Sequence, residues 1–148
     1  MISNLTSRAH THQIRSLVDL MVVGGNTVGI DRPILDARLA NDRAPNILIY
    51  SSKFEFDRQI PLFKVPNREV TISNSLKLAF EKRFVMIEGG ENFLKNLDSR
   101  VEWILIYRSN EFKMAENIKL NLKLNILHRT RLDDGELLWC KRVNSEQK

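Results

Sequence analysis

The chain has 148 residues, of which 43% are hydrophobic and 28% charged, so it can bury one core and is excluded from the disordered class. No apolar run approaches the roughly 20 residues of a membrane-crossing helix, and no N-terminal segment joins a basic start to an apolar middle and a small-residue cleavage site. A lone Cys140 excludes a disulfide scaffold, and together these features imply a cytoplasmic protein with no membrane partner.

The first element is a helix over residues 6–17, free of Gly and Pro and capped by Thr6 or Ser7, with Ile14, Leu17 and Val18 on its buried side. "VDLMVV" (18–23) reads as a short strand, followed by a brief turn or helix that Asn26 or Thr27 caps and Pro33 interrupts. "NILIY" (46–50) is continuously apolar, the mark of a strand covered on both faces. "REVTIS" (68–73) and "RFVMIE" (83–88) are further strands, with a short helix over 75–82 between them. "ENFLKNLD" (91–98) has helical spacing, "VEWILIYR" (101–108) is a strand, and the alternation of 118–131 signals a half-exposed one. A turn at 133–135 and "ELLWCKRV" (136–143) complete a terminal hairpin. Helix and strand alternating before an antiparallel pair argues an α/β fold, its mostly parallel sheet flanked by helices and ending in a C-terminal antiparallel hairpin.

The net charge of +5 attracts anions, but Lys and Arg are interleaved with Asp and Glu, so nucleic acid is not an expected partner and a few placed arginines account for it. His10 and His12 diverge as i,i+2 residues on a helix, and one distant cysteine completes no ligand cluster, so no metal is expected.

Four of the six glycines fall in two pairs, Gly24-Gly25 and Gly89-Gly90, each ending an apolar strand ahead of a helical segment. One such pair is explained by a tight turn alone. Two in equivalent contexts suggest strand ends flanking one long ligand, because bare backbone admits close approach and a helix start favours phosphate. Neither pair matches a G-x-G-x-x-G fingerprint or a phosphate loop ending in G-K-[ST].

Residues 2–38, with Ile2-Ser3, Ile14-Arg15, Val18 to Gly24, Asn26-Thr27-Val28, Asp31-Arg32-Pro33 and Leu35-Asp36-Ala37-Arg38, resemble the reductase domain of bacterial riboflavin-biosynthesis deaminase–reductases. "VMIEGGENFLKNL" resembles the same family's V-x-V-E-G-G-x-x-L, and "VEWILIY" its next strand. The resemblance implies a dihydrofolate-reductase-like fold and an NADPH-dependent oxidoreductase. Its substrate would be 5-amino-6-(5-phosphoribosylamino)uracil, whose ribosyl group is reduced to the ribityl form. It further implies a homodimer and a separate or fused deaminase domain.

The resemblance also assigns roles. Thr27, Asp31, Ser51 and the segment Gly90, Glu91, Asn92, Phe93, Leu94, Lys95 and Asn96 would bind the cofactor. Arg15 and Arg38 would hold the substrate phosphate, as planar guanidinium forks suit phosphate oxygens, with Leu35 as a neighbouring wall and Glu88 touching substrate. Asp31 and Glu88 are the candidates for proton supply or relay. The family's second Asp in D-D-P is Arg32 here, and the Thr of its L-T-x-R is Asp36. The match begins after the family's first strand and its S-L-D-G-K loop, which implies a single reductase domain over 1–148, shortened at its N-terminus and lacking that strand. A second reading of the same features is a non-catalytic remnant that keeps nucleotide binding or an assembly surface. A third is a relative acting on another pterin-like or phosphorylated substrate.

Overall fold

Leu20–Gly24 forms β1 and pairs in parallel on one side with β2, Asn46–Tyr50, and on the other with β4, Val85–Glu88. β2 pairs in turn with β3, Val70–Ser73, giving a four-stranded parallel sheet of order β3-β2-β1-β4. The computed structural model describes residues 5–40, 43–89, 93, 99–110, 122–133 and 135–143. The chain falls into two units, one of residues 9–90 and the other of 1–8 with 91–148.

In the first unit, Met21 and Val23 align with Ile47 and Ile49 in register, and all four are fully buried. They meet Val28, Leu35, Ile60 and Leu62 in one cluster, with Phe56, Phe63, Val70 and Ile72 packed against it. Leu20, Val22 and Leu48, which alternation puts on the opposite face, are buried too. A sheet covered on both faces must have continuously apolar strands, which is why "LMVV" and "NILIY" do not alternate. Each such side chain contributes about 1.5–3 kcal/mol by leaving water.

Asp19 fixes the β1–β4 register. Its N–H donates to Phe84 O at 2.9 Å, and its carboxylate accepts from Phe84 N–H at 3.1 Å. Val23 therefore stands opposite Glu88 at the last pair.

Helix α1 spans Leu5–Leu17, and α2, Gly25–Asp31, follows β1 without a gap. Leu17 does not lie on the buried side of α1 as its spacing suggests: it is 68% exposed, while Val18 just beyond is buried. The inward face is set instead by His12 and Arg15, three residues apart and both bonded to the 36–39 segment. Leu17 is two residues past Arg15, some ~160° around the helix, and faces solvent. A single turn of helix, α3 at Lys77–Phe80, precedes β4. The helix expected over 91–98 lies outside the described residues except for Phe93.

In the second unit, β5 (Trp103–Ser109), β6 (Leu124–Leu132) and β7 (Gly135–Arg142) form an antiparallel sheet of order β5-β7-β6. The terminal hairpin thus takes β5 as a third strand, with Ser109 opposite Gly135 and Trp103 opposite Lys141. The central strand β7 is the buried one, through Leu137, Leu138 and Cys140. β6 begins at Leu124 and is exposed on both faces, Ile126 and Leu127 included, so it is not the half-exposed strand that its alternation suggests. No helix among the described residues is long and apolar enough to cross a membrane.

Candidate functional site

The chain builds β1, β2 and β3 outward in one direction and then places β4 on the other side of β1. Strand order reverses at β1, and in parallel sheets the crevice beyond the carboxyl ends at such a reversal is where ligands collect. Glu88 closes β4 at that point, beside Val23.

The Glu88 carboxylate is held by Arg15 from the last turn of α1. Arg15 Nη2 donates to Oε1 and Oε2 at 2.9 Å each, and Nε donates to Oε2 at 3.3 Å. Arg15 Nη1 also donates to the main-chain oxygen of Asp36 at 3.3 Å. The Arg15 side chain is 11% exposed and Glu88 39%, so the pair is sunk on the arginine side and open on the carboxylate side.

Asp36 extends the cluster. One carboxylate oxygen lies 3.8 Å from Nδ1 of the buried His12, and the other accepts from Arg38 Nη1 at 3.3 Å. His12 Nδ1 also accepts from Leu39 N–H at 3.4 Å. Arg38 is 55% exposed, so its guanidinium meets solvent while anchored at one edge. Side chains separated in sequence, from α1, the 35–39 segment and the end of β4, thereby present an arginine and a carboxylate together at the strand ends. An exposed guanidinium has the donors to pair with an anion, and an open carboxylate the lone pairs to accept from a neighbouring donor.

A cleft of about 300 Å³ opens beyond the carboxyl ends of β1 and β2, lined by Gly25, Asn26, Gly29, Ile30, Ser51 and Lys53 among others. The lining residues of α2 recur at helical spacing and form one of its faces. Arg32, which caps α2 in a left-handed conformation with φ 45°, bonds Asp57 at 2.7 Å on the rim. The Asp57 carboxyl is held below its ordinary 3.8, first by the Gln59 N–H and then by Arg32.

Gly25 is needed here for space. A Cβ on it would stand 2.5 Å from Ser51 Oγ and 2.7 Å from Ser51 Cβ, inside contact distance. Gly24 has an ordinary extended conformation, φ −71° and ψ 140°, and no described glycine has positive φ. Of the first glycine pair, Gly25 thus serves the close approach of the β2 end to α2 in the cleft.

The structure brings Arg15, Glu88 and Arg38 into one cluster through Asp36, with Leu35 buried alongside in the core. It sets Ser51 in the cleft wall, its hydroxyl accepting from Lys53 N–H at 3.0 Å. Thr27 is half-buried and Asp31 exposed, both on α2. Among the described residues Asp31 takes no part in the hydrogen-bonded cluster around Glu88. Of the segment expected to bind cofactor phosphates, Phe93 is half-buried, while Gly90, Glu91, Asn92, Leu94, Lys95 and Asn96 lie outside the described residues. No group of three or more His, Cys, Asp and Glu among the described residues is arranged to hold a metal ion.

Sequence reading missed Arg68. It is half-buried, and burial lowers its pKa to about 10, still high enough to keep the charge at neutral pH. Nothing in "PNREV" distinguishes a buried arginine from a solvated one.

No protein-family model and no curated protein sequence matches the chain. Solved structures do. RibD from Acinetobacter baumannii superposes with a TM-score of 0.75 at 14% identity, over 97% of this chain and 52% of that one. A diaminohydroxyphosphoribosylaminopyrimidine deaminase/5-amino-6-(5-phosphoribosylamino)uracil reductase from Thermotoga maritima gives 0.71 at 15% identity, over 95% of this chain and 50% of that one. The riboflavin biosynthesis reductase of Saccharomyces cerevisiae gives 0.63 at 20% identity, over 94% of this chain and 81% of that one. The chain spans about half the length of the first two of these proteins. Its fold is the dihydrofolate-reductase-like fold that these structures share.

Proposed function

We propose that the chain is a reductase acting on the ribosyl group of 5-amino-6-(5-phosphoribosylamino)uracil, with NADPH as the hydride donor. The observation that carries this reading is the pairing of Arg15 with Glu88 at the point where strand order reverses, with the exposed guanidinium of Arg38 linked to it through Asp36. A phosphorylated sugar joined to a pyrimidine presents an anion and several N–H and O–H donors, which Arg38 and the open side of Glu88 complement. The solved structures of the same fold support it, since one is named a 5-amino-6-(5-phosphoribosylamino)uracil reductase and another a riboflavin biosynthesis reductase.

The cleft over β1 and β2 offers the Lys53 ammonium and the Ser51 hydroxyl to part of a dinucleotide phosphate, while Arg32 on the same rim is paired with Asp57 and Glu55 also lines it. When bound, the nicotinamide supplies a hydride to the ribosyl carbon that bears the amine. The bond from that carbon to the ring oxygen breaks, and the oxygen takes up a proton to become a hydroxyl. The chain's own contribution is orientation and charge placement: Arg38 at the phosphate, Glu88 fixed by Arg15 as an acceptor, and Asp31 as the candidate for proton relay.

A second reading has its own observation. Arg15 is engaged by Glu88 and by the Asp36 main-chain oxygen, and Arg38 is already on Asp36, so an anion must compete with acceptors that are in place. That favours a chain which keeps nucleotide binding and has lost turnover. Titrating NADPH by fluorescence and then adding the pyrimidine substrate separates the two. Binding with oxidation of NADPH supports the reductase, binding without oxidation supports the remnant, and no binding removes both. If the reductase holds, Asp31→Asn tests the relay, and unchanged turnover would remove Asp31 from it.

A further inference from the structure

Arg68 stands two residues before β3, and its guanidinium is directed at main-chain carbonyls. Nε donates to Pro45 O at 2.9 Å, and Nη1 donates to Ile34 O at 2.8 Å and Leu62 O at 3.4 Å. Nη2 donates to Leu35 O. One side chain therefore fastens three separate segments: the approach to β2, the short helix at Pro61–Lys64, and the 34–35 loop. The rigid fork of five donors makes this feasible, and the single ammonium of a lysine has no equivalent geometry.

The 34–35 loop needs such a fastening. Leu35 has φ 56°, a left-handed conformation that a branched, buried side chain adopts only under constraint from its surroundings. Its carbonyl is one that Arg68 holds, and the next residue is Asp36. Asp36 bonds Arg15 through its main-chain oxygen and Arg38 through its carboxylate, and its charge also favours the protonated form of Arg68. The path from Arg68 to the two arginines is thus short and continuous: a clamped, strained Leu35, then Asp36, then Arg15 and Arg38.

We infer that Arg68 is a positioning residue for the anion-binding half of the site, holding Leu35 in its left-handed conformation so that Asp36 sets the places of Arg15 and Arg38. The inference rests on the reading of that cluster as a ligand site. The Arg68 donors go to main-chain carbonyls, and Arg68 is not among the residues that line the cleft of Gly25 and Ser51.

The test uses the whole chain with Arg68→Lys, which keeps the charge and loses the fork, beside Val70→Ala as a packing control on the neighbouring strand. Arg68→Lys should speed tryptic cleavage after Arg38 by about tenfold or more, the size of effect expected when a charge-assisted bond is lost. It should raise KM for the phosphoribosylamino-pyrimidine by a similar factor, with kcat and NADPH affinity changed by less than about twofold. Val70→Ala should lower the melting temperature without either change. Equal effects of the two variants on cleavage, or no acceleration in Arg68→Lys, overturn the inference. If the unsubstituted chain does not turn the pyrimidine over, the reductase reading falls while the cleavage arm still decides the role of Arg68. Should Arg68→Lys fail to fold, the arginine Nε–H resonances of the unsubstituted chain decide during titration with inorganic phosphate. Arg38 and Arg68 shifting together supports the coupling, and Arg38 shifting alone, or neither moving, overturns it.

Discussion

Arg15 and Glu88, 73 residues apart in sequence, share three hydrogen bonds of 2.9–3.3 Å at the end of β4. The guanidinium is nearly buried and the carboxylate 39% exposed, so the pair has less water around it than a surface bridge and more than a core one. Its contribution should fall between those limits. A double-mutant cycle with Arg15→Met and Glu88→Gln should give a coupling of about 1–2 kcal/mol by urea unfolding. A coupling under ~0.3 kcal/mol would class the pair with ordinary surface bridges.

Gly25 and Ser51 test the packing of the cleft. Gly25→Ala forces a Cβ to within 2.5 Å of Ser51 Oγ, and the structure should lose about 1–3 kcal/mol through overpacking. Ser51→Gly in the same chain removes both clashing atoms and should restore most of that loss. Ser51→Ala should restore little, because its Cβ remains at 2.7 Å. Melting temperatures of the four proteins decide the matter.

Gly135 meets backbone, which cannot swing aside. A Cβ there would run into the carbonyl oxygen of Arg108 on the paired strand. Gly135→Ala should therefore cost more than Gly25→Ala, roughly 3 kcal/mol or above, by opening the β5–β7 end pair. Amide exchange at Ser109 should quicken in that variant, and protection equal to the parent chain would contradict the steric argument.

Asp57 gives a pH dependence whose sign is fixed. Its folded-state pKa lies below the ordinary 3.8, so the stability it supplies is present above that value and is lost as pH falls through the folded one. The Gln59 N–H outranks Arg32 as the cause, so Arg32→Ala should raise the Asp57 midpoint only part of the way. Carboxyl carbon NMR across acid pH measures it. A return all the way to 3.8 in Arg32→Ala would assign the whole depression to the arginine.

The strands of this protein are legible because apolar side chains in a doubly covered parallel sheet leave a continuous signature. "NILIY" gives β2 residue for residue, and "RFVMIE" contains β4, which begins two residues later at Val85. Leu17 misleads because helical spacing alone does not say which side of a helix is covered; the polar His12 and Arg15 face inward, and the leucine two places on turns out. The resemblance picks out Arg15, Arg38 and Glu88, and Asp36 stands out as a departure from the family pattern. Their mutual bonding joins residues up to 73 apart and has no local signal.

By itself the sequence determined the order and type of the elements and the glycines that end β1, because backbone preference and side-chain periodicity act over a few residues. Only the tertiary structure decided what those features do. Gly25 proved to yield space to Ser51, Glu88 to face Arg15, and Arg68 to hold a strained Leu35 by its carbonyl. Each of those depends on which distant atoms come within about 3 Å, a distance that packing of the whole sheet sets and that no stretch of chain encodes alone.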